Sequence, residues 1–392
     1  MPLTSSSRIG VLGAGAMGSG IAQVAATAGH DVVLADASPD APAKALAAIE
    51  KALTRDVEKG RATKAAADAT LRRIHALPAS PDAFAGCGMV IEAIVEDLAI
   101  KQAVFASIEH SVTDDCVLAT NTSSLSIAAI ASGCARPERV IGVHFFNPAT
   151  IMPLVEIVPG VATSPDIAQE ARALVDGWGK TTVLAADTPG FIVNRVARPF
   201  YGEALRILEE GIADVVTIDW AMCELGGFRM GPFKLMDFIG HDINYTVTRS
   251  VWEALYFDPR FRPSIVQKRL LDAGRLGRKS GVGFYDYRGG VKPPEATRDA
   301  ALGNGIFMRV LAMLVNEAAD AVHLRIATAA EIDLAMTKGV NYPQGLLAWG
   351  DALGAGRVLE RIDALQREYG EDRYRASPYL RRAVRDGTPL SG

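Results

Sequence analysis

The chain has 392 residues, 49% hydrophobic and 22% charged, with a formal net charge of −4. This length corresponds to two or three domains, and the composition excludes extended disorder. The mild acidic balance gives no reason to expect a nucleic acid or an anionic membrane as partner, and no apolar run reaches the roughly 18 residues of a spanning helix.

The polar lead Met1 to Ser7 lacks the pattern of a signal peptide. Arg8 to Leu12 reads as a short apolar strand, followed by Gly13-Ala14-Gly15-Ala16-Met17-Gly18 and an Ala-rich helical stretch to Gly29. A second strand, Asp31 to Ala35, ends at Asp36. The order strand, G-x-G-x-x-G, helix, strand, acid is the dinucleotide fingerprint in its required context. Gly13 allows the tight turn, Gly15 leaves room for the pyrophosphate, and Gly18 lets helix and strand pack closely. The helix start, at Ala16 and Met17, offers free N–H groups and a positive dipole to phosphates. A carboxylate at Asp36 accepts both ribose hydroxyls and repels a 2′-phosphate, so NAD is expected over NADP.

Residues 40–75 are rich in Ala, Lys, Arg and Glu at helical spacing and predict one or two long helices. Strands are predicted at Met89–Ile94, Val117–Ala119, Val140–Phe145, Leu154–Val158 and Thr182–Ala185, with a helix over 98–110. The alternation implies a mostly parallel, doubly wound sheet, whose ligands bind beyond the carboxyl ends of its strands. Glu96, Asn121-Thr122-Ser123-Ser124 and His144-Phe145-Phe146-Asn147 fall at those ends. Asp187-Thr188-Pro189-Gly190 has the turn chemistry of a domain boundary. The pattern is helical thereafter, with a second linker at Gly289 to Pro294.

Two downstream segments repeat at an offset of 114: Arg195, Glu203, Ala204, Asp219, Ala221, Met222, Gly231, Asp237 and Gly240 recur as Arg309, Glu317, Ala318, Asp333, Ala335, Met336, Gly345, Asp351 and Gly354. The expected organisation is a Rossmann-type domain over 1–187, a helical domain over 188–288, a linker over 289–300 and a second helical copy over 301–392. Asn194 of the first copy corresponds to Met308 of the second, so the second copy is expected to pack and do no chemistry. Cys87, Cys116, Cys134 and Cys223 form no C-x-x-C, which speaks against a metal centre or a disulfide framework and for a reduced cytoplasm.

Taken together, the glycine turn, Ile91-Glu92-Ala93-Ile94-Val95-Glu96, Asn121 to Ser124, His144-Phe145-Phe146-Asn147-Pro148, Leu154-Val155-Glu156, Asp187 to Arg195 and Gly277-Arg278-Lys279-Ser280-Gly281-Val282-Gly283-Phe284-Tyr285 resemble the 3-hydroxyacyl-CoA dehydrogenase family. Within it, the two helical copies and Tyr369 to Arg375 resemble enzymes acting on 3-hydroxyadipyl-CoA, although those relatives carry an extra segment between the copies. The resemblance implies a Rossmann domain followed by two helical domains of the 6-phosphogluconate dehydrogenase C-terminal type. It also implies NAD as cofactor, an acyl-CoA substrate and a homodimer, or a monomer in which the tandem copies mimic the dimer contact.

Oxidising a secondary alcohol requires a base for the hydroxyl proton while a hydride leaves. His144 suits that task, and Glu156, 12 residues on and after the next strand, can fix its tautomer. The resemblance assigns both residues these roles. Ser123 and Asn194 are expected to hydrogen-bond the substrate oxygen from different domains, so that closure completes the site. Asn147 and Ser123 are expected near the nicotinamide. By resemblance, Glu96, Lys101 and Lys279 contact the cofactor, with a solvated helix face as the plainer reading of Lys101. Lys51, Arg55 and Lys59 recur every four residues; by resemblance this region meets the anionic adenine end of CoA, with a solvated helix face as the plainer reading. Arg229, Lys234 and His241 are candidates for a carboxylate on the acyl tail. A gulonate-type sugar-acid dehydrogenase and a non-catalytic NAD-binding protein are the competing readings.

Overall fold

The first strand, β1 (Ile9–Leu12), is followed by α1 (Ala16–Thr27), β2 (Val32–Asp36), α2 (Ala41–Glu58), α3 (Lys64–Arg72), β3 (Ile74–Pro78), β4 (Met89–Glu92), α4 (Leu98–Glu109), β5 (Val117–Thr120), α5 (Ile127–Ala131), β6 (Val140–Phe145), β7 (Leu154–Pro159), α6 (Pro165–Gly177) and β8 (Thr181–Leu184). This is a computed structural model that describes residues 3–292 and 294–392; Met1 and Pro2 of the polar lead and Pro293 of the second linker lie outside the described residues. The chain divides into two compact units, one ending at Thr188 and the other spanning Pro189–Gly392.

In the first unit eight strands form one sheet in the order β3-β2-β1-β4-β5-β6-β7-β8. Strands β1 to β6 pair with one another in parallel. The near-continuous apolar sequences of all of these but β3 are those of strands covered on both faces. The order reverses at β1, between β2 and β4, which creates the crevice where doubly wound sheets bind ligands.

Two features depart from the sequence reading and a third refines it. Strand β3 was not expected; it is an exposed edge strand that ends in a proline and pairs only with β2. The strand expected to reach Ile94 stops at Glu92, because the Ile94 N–H turns back to the Glu92 carboxylate (2.6 Å). Strand β7 runs antiparallel to β6, since the connection over 146–153 is shorter than a parallel crossover requires. Residues 40–75 form two helices, with Gly60 left-handed (φ +67°) between them and the Thr63 hydroxyl capping α3.

The second unit contains α7 (Val193–Val196), α8 (Arg198–Glu209), α9 (Val215–Trp220), α10 (Pro232–Ile239), α11 (His241–Ala254) and α12 (Ile265–Asp272), then α13 (Ala300–His323), α14 (Ala329–Gly339), α15 (Leu346–Leu353), α16 (Ala355–Tyr369) and α17 (Pro378–Asp386). Helices α9, α10 and α11 begin 114 residues before α14, α15 and α16. The repeated residues do the same work in both sets. Asp219 accepts the Phe233 and Lys234 N–H groups at the start of α10 (2.9 and 3.0 Å), and Asp333 accepts those of Leu347 and Ala348 at α15 (2.8 and 3.0 Å). A Cβ on Gly231 or Gly345 would lie 2.3 or 2.4 Å from those carboxylates, so only glycine fits. Arg195 reaches across to Glu317 (2.7 Å), and Arg309 reaches back to Glu203 (3.0 Å). Among the described residues no helix is long and apolar enough to cross a membrane.

Candidate active site

The glycine turn follows β1 directly. Gly13 has φ +105°, and a Cβ there would lie 2.4 Å from the Ala93 carbonyl oxygen. A Cβ on Gly18 would fall 1.7 Å from the Gly13 carbonyl oxygen, so α1 packs against the turn only because Gly18 has no side chain. Around Gly15, in contrast, nothing lies within 4 Å. Gly15 caps α1 without any side-chain hydrogen bond, which leaves the N–H groups from Ala16 and Met17 onward turned to an anion. The Asp36 carboxylate is held at the end of β2 by the N–H groups of Ala14 (2.7 Å) and Ser38 (2.8 Å). A cleft of about 490 Å³ is lined by Gly13, Gly15 and Asp36 on one side and by Phe84, Ile94, Val95, Ile100 and Val104 on the other. Its glycine floor, uncapped helix start, carboxylate and apolar wall fit a dinucleotide.

A polar network sits at the carboxyl ends of β4 and β5. Lys101 is 1% exposed, so it is not on a solvated helix face. Its ammonium pairs with Glu92 (2.6 Å) and Glu96 (3.4 Å). Glu92 also accepts the Thr120 hydroxyl (2.8 Å). Glu96 accepts the Thr122 and Ser124 hydroxyls (2.6 and 2.8 Å) and the Ser123 N–H (3.2 Å). Burial acts to raise the Glu96 pKa, but the Thr122 bond, the Lys101 charge and the bonds from Ser124 and Ser123 outweigh it and hold it below the ordinary glutamate value. Glu96, Lys101 and Ser123 thus share one network.

His144 and Glu156 face one another directly in the antiparallel register of β6 and β7. The imidazole Nδ1 lies 2.7 Å from Glu156 Oε2, and both side chains are buried. An ionised carboxylate only accepts, so Nδ1 carries the proton and Nε2 is the basic nitrogen. The Phe146 ring packs at 4.6 Å from the imidazole. Asn121 Oδ1 accepts the Phe145 N–H (2.8 Å), tying the loop that carries Ser123 to the strand that carries His144. Asn147 is exposed, just past β6.

The remaining expected residues stand on other elements. Lys51, Arg55 and Lys59 are exposed along α2 and its C-terminal cap. Asn194 is on α7 in the second unit, half-buried. Lys279, also in the second unit, is not a bare cation: it pairs with Asp242 (2.6 Å). The glycines of its stretch serve packing, since a Cβ on Gly277 or Gly283 would lie 2.3 or 2.0 Å from Asp237, whose carboxylate accepts the Phe284 and Tyr285 N–H groups. His241 is fully buried against that same carboxylate (2.8 Å) and does not present a cation to a ligand.

Sequence reasoning missed Glu92, Asn121 and Asp187 as organisers. Asp187 accepts the Ser126 hydroxyl and the Ile127 and Ala128 N–H groups at the start of α5 (2.8, 2.9 and 2.8 Å). A carboxylate at a strand end and an Asn before Thr-Ser-Ser were the available signals.

The family profile "3-hydroxyacyl-CoA dehydrogenase, NAD binding domain" matches residues 8–188, and "3-hydroxyacyl-CoA dehydrogenase, C-terminal domain" matches 190–287 and 306–389. The 3-hydroxyadipyl-CoA dehydrogenase of Escherichia coli (strain K12) is 38% identical, covering 95% of this chain and 96% of its own. That alignment runs over 459 positions, so the relative holds residues that this chain lacks. A 3-hydroxybutyryl-CoA dehydrogenase of Bradyrhizobium diazoefficiens is 41% identical over 73% of this chain and 97% of its own. Among solved structures, 3-hydroxybutyryl-CoA dehydrogenase from Escherichia coli K12 superposes with a TM-score of 0.93 at 36% identity, covering 97% of this chain and 98% of that one. With both profiles in order along most of the chain, the protein belongs to the 3-hydroxyacyl-CoA dehydrogenase family.

Proposed function

We propose that the protein oxidises (S)-3-hydroxyacyl-CoA to 3-oxoacyl-CoA, with His144 as the general base. The observation that carries this reading is the buried 2.7 Å contact between His144 and Glu156. NAD, when bound, takes the hydride from carbon 3. His144 Nε2 takes the hydroxyl proton, and the Glu156 carboxylate stabilises the imidazolium that results. Ser123 and Asn194 donate hydrogen bonds to the substrate oxygen, on which negative charge develops. Gly13 to Gly18 and Asp36 hold the pyrophosphate and adenine ribose. Asn147 contacts the nicotinamide end, Glu96 and Lys101 contact the cofactor from the network that carries Ser123, and Lys279 contacts it by family resemblance. Lys51, Arg55 and Lys59 make no ion pair among the described residues, whereas Lys44 and Arg61 nearby do, which supports them as contacts for CoA phosphates.

The reading extends to assembly and location. The reciprocal pairs of Arg195 and Arg309 join the two helical copies within one chain, which supports a monomer with tandem copies over a homodimer. Four free cysteines fit a reducing cytoplasm.

His144→Ala tests the assignment. The expected result is a kcat lower by about 10²–10⁴-fold with NAD affinity little changed. A normal kcat in this variant would reject His144 as base.

A further inference from the structure

Seven arginines of the described chain are buried, and six of them lie within 4.0 Å of a carboxylate. The exception is Arg198, at 7% exposure. Its one hydrogen bond is from Nη1 to the Thr248 hydroxyl (3.1 Å), and its guanidinium lies 4.9 Å from the centre of the Tyr201 ring. Tyr342 is the other group in electrostatic reach, and both phenols are buried. Neither phenol hydroxyl has a hydrogen-bond partner among the described residues. Burying a cation without a counter-ion is costly. Arg198 is also the first residue of α8, where the helix dipole disfavours positive charge. Such a cost persists where an anion arrives from outside the chain.

The position says which anion. Arg198 follows Asn194 by four residues across the junction of α7 and α8, with Ala197 between them in helical conformation, so the two share one face about 6 Å apart along the axis. Resting on the reading of Asn194 as a contact of the substrate's 3-oxygen, we propose that Arg198, with Thr248, Tyr201 and Tyr342 around it, receives a carboxylate at the far end of the acyl tail. The preferred substrates are therefore 3-hydroxy-dicarboxylyl-CoA esters. A six-carbon tail sets its carboxylate three bonds beyond the hydroxyl-bearing carbon, a span of the order of one helical turn. Arg229, Lys234 and His241 are not needed for this task.

The test compares kcat/KM for (S)-3-hydroxyadipyl-CoA and (S)-3-hydroxyhexanoyl-CoA, which differ only in a terminal carboxylate against a methyl group. The wild type is expected to prefer the adipyl ester. Arg198→Met is expected to lower the adipyl-to-hexanoyl ratio by about 10- to 100-fold, mostly through KM, and Arg198→Lys to leave an intermediate ratio. Equal losses on both esters, or no preference in the wild type, would overturn the proposal and leave Arg198 a packing residue. Should Arg198→Met fail to fold, Arg198→Lys and Thr248→Val supply the ratio, and no change in either overturns the proposal just as well. A wild type inactive on both esters would instead reject the dehydrogenase reading on which the proposal rests.

Discussion

A carboxylate bonded to one imidazole nitrogen both fixes the tautomer and offsets the charge the ring gains, and at His144 the second effect requires Glu156 to be ionised. Glu156→Gln keeps a hydrogen-bond partner and removes the charge, so kcat is expected to fall by about 10-fold or more while the fold persists; an unchanged kcat would leave Glu156 with a structural role alone. At the other end of the site, Asp36→Ala removes the acceptor for the ribose hydroxyls. It is expected to weaken NAD and to bring NADP closer to it in kcat/KM, measured with both cofactors at fixed substrate. His144 and Asp36 were legible because each stands at or near the end of an apolar strand, whereas Glu156 lies within β7, opposite His144. Lys101 was not legible. Its spacing on α4 is compatible with solvent, and only the turn of Ile94 toward Glu92 creates the buried acid that draws it in. Arg198 escaped notice for the converse reason, since a sequence does not show which arginines lack an acid.

The glycine turn gives a contrast that belongs to the element and not to any one residue. Gly15→Ala adds a methyl group to open space, so stability is expected to hold while NAD affinity falls. Gly18→Ala drives a methyl group into the Gly13 carbonyl, so the melting temperature itself is expected to drop. Thermal unfolding and NAD titration of the two variants separate these roles, and equal melting temperatures would contradict the packing argument. The helical repeat supplies a second comparison. Tyr256, Arg325 and Asn341 have φ of 53°, 56° and 55°, and the residues 114 positions away, Gly370, Gly211 and Gly227, have φ of 62°, 68° and 69°. Each copy uses glycine where the other strains a side chain. Tyr256→Gly and Arg325→Gly are therefore expected to raise stability, by up to about 1 kcal/mol each in denaturant titrations. The repeat was readable from the sequence because its conserved offset marks shared caps and core positions. Strand β3 was not, because an edge strand needs no apolar face on its outer side, and the reversal of β7 became evident only once the short β6 to β7 connection had been placed.

For the whole molecule, the buried pairs Arg195–Glu317 and Arg309–Glu203 join the two helical copies. Removing Arg195 leaves Glu317 buried with Arg260 as its remaining partner (2.8 Å), so Arg195→Met is expected to destabilise the second unit, but by less than the roughly 3–5 kcal/mol of a buried charge left wholly unpaired. Because these contacts close within one chain, sedimentation equilibrium is expected to return the monomer mass; a dimer would show that the tandem copies do not replace a partner subunit. The family assignment was accessible from the order of motifs along the chain. The most direct measurement of the central claim is reduction of NAD followed side by side with an (S)-3-hydroxyacyl-CoA and with L-gulonate. The account predicts rapid NADH formation with the CoA ester, abolished in His144→Ala, and none with the sugar acid. Turnover of gulonate alone, or of neither substrate by a protein that binds NAD, would contradict it.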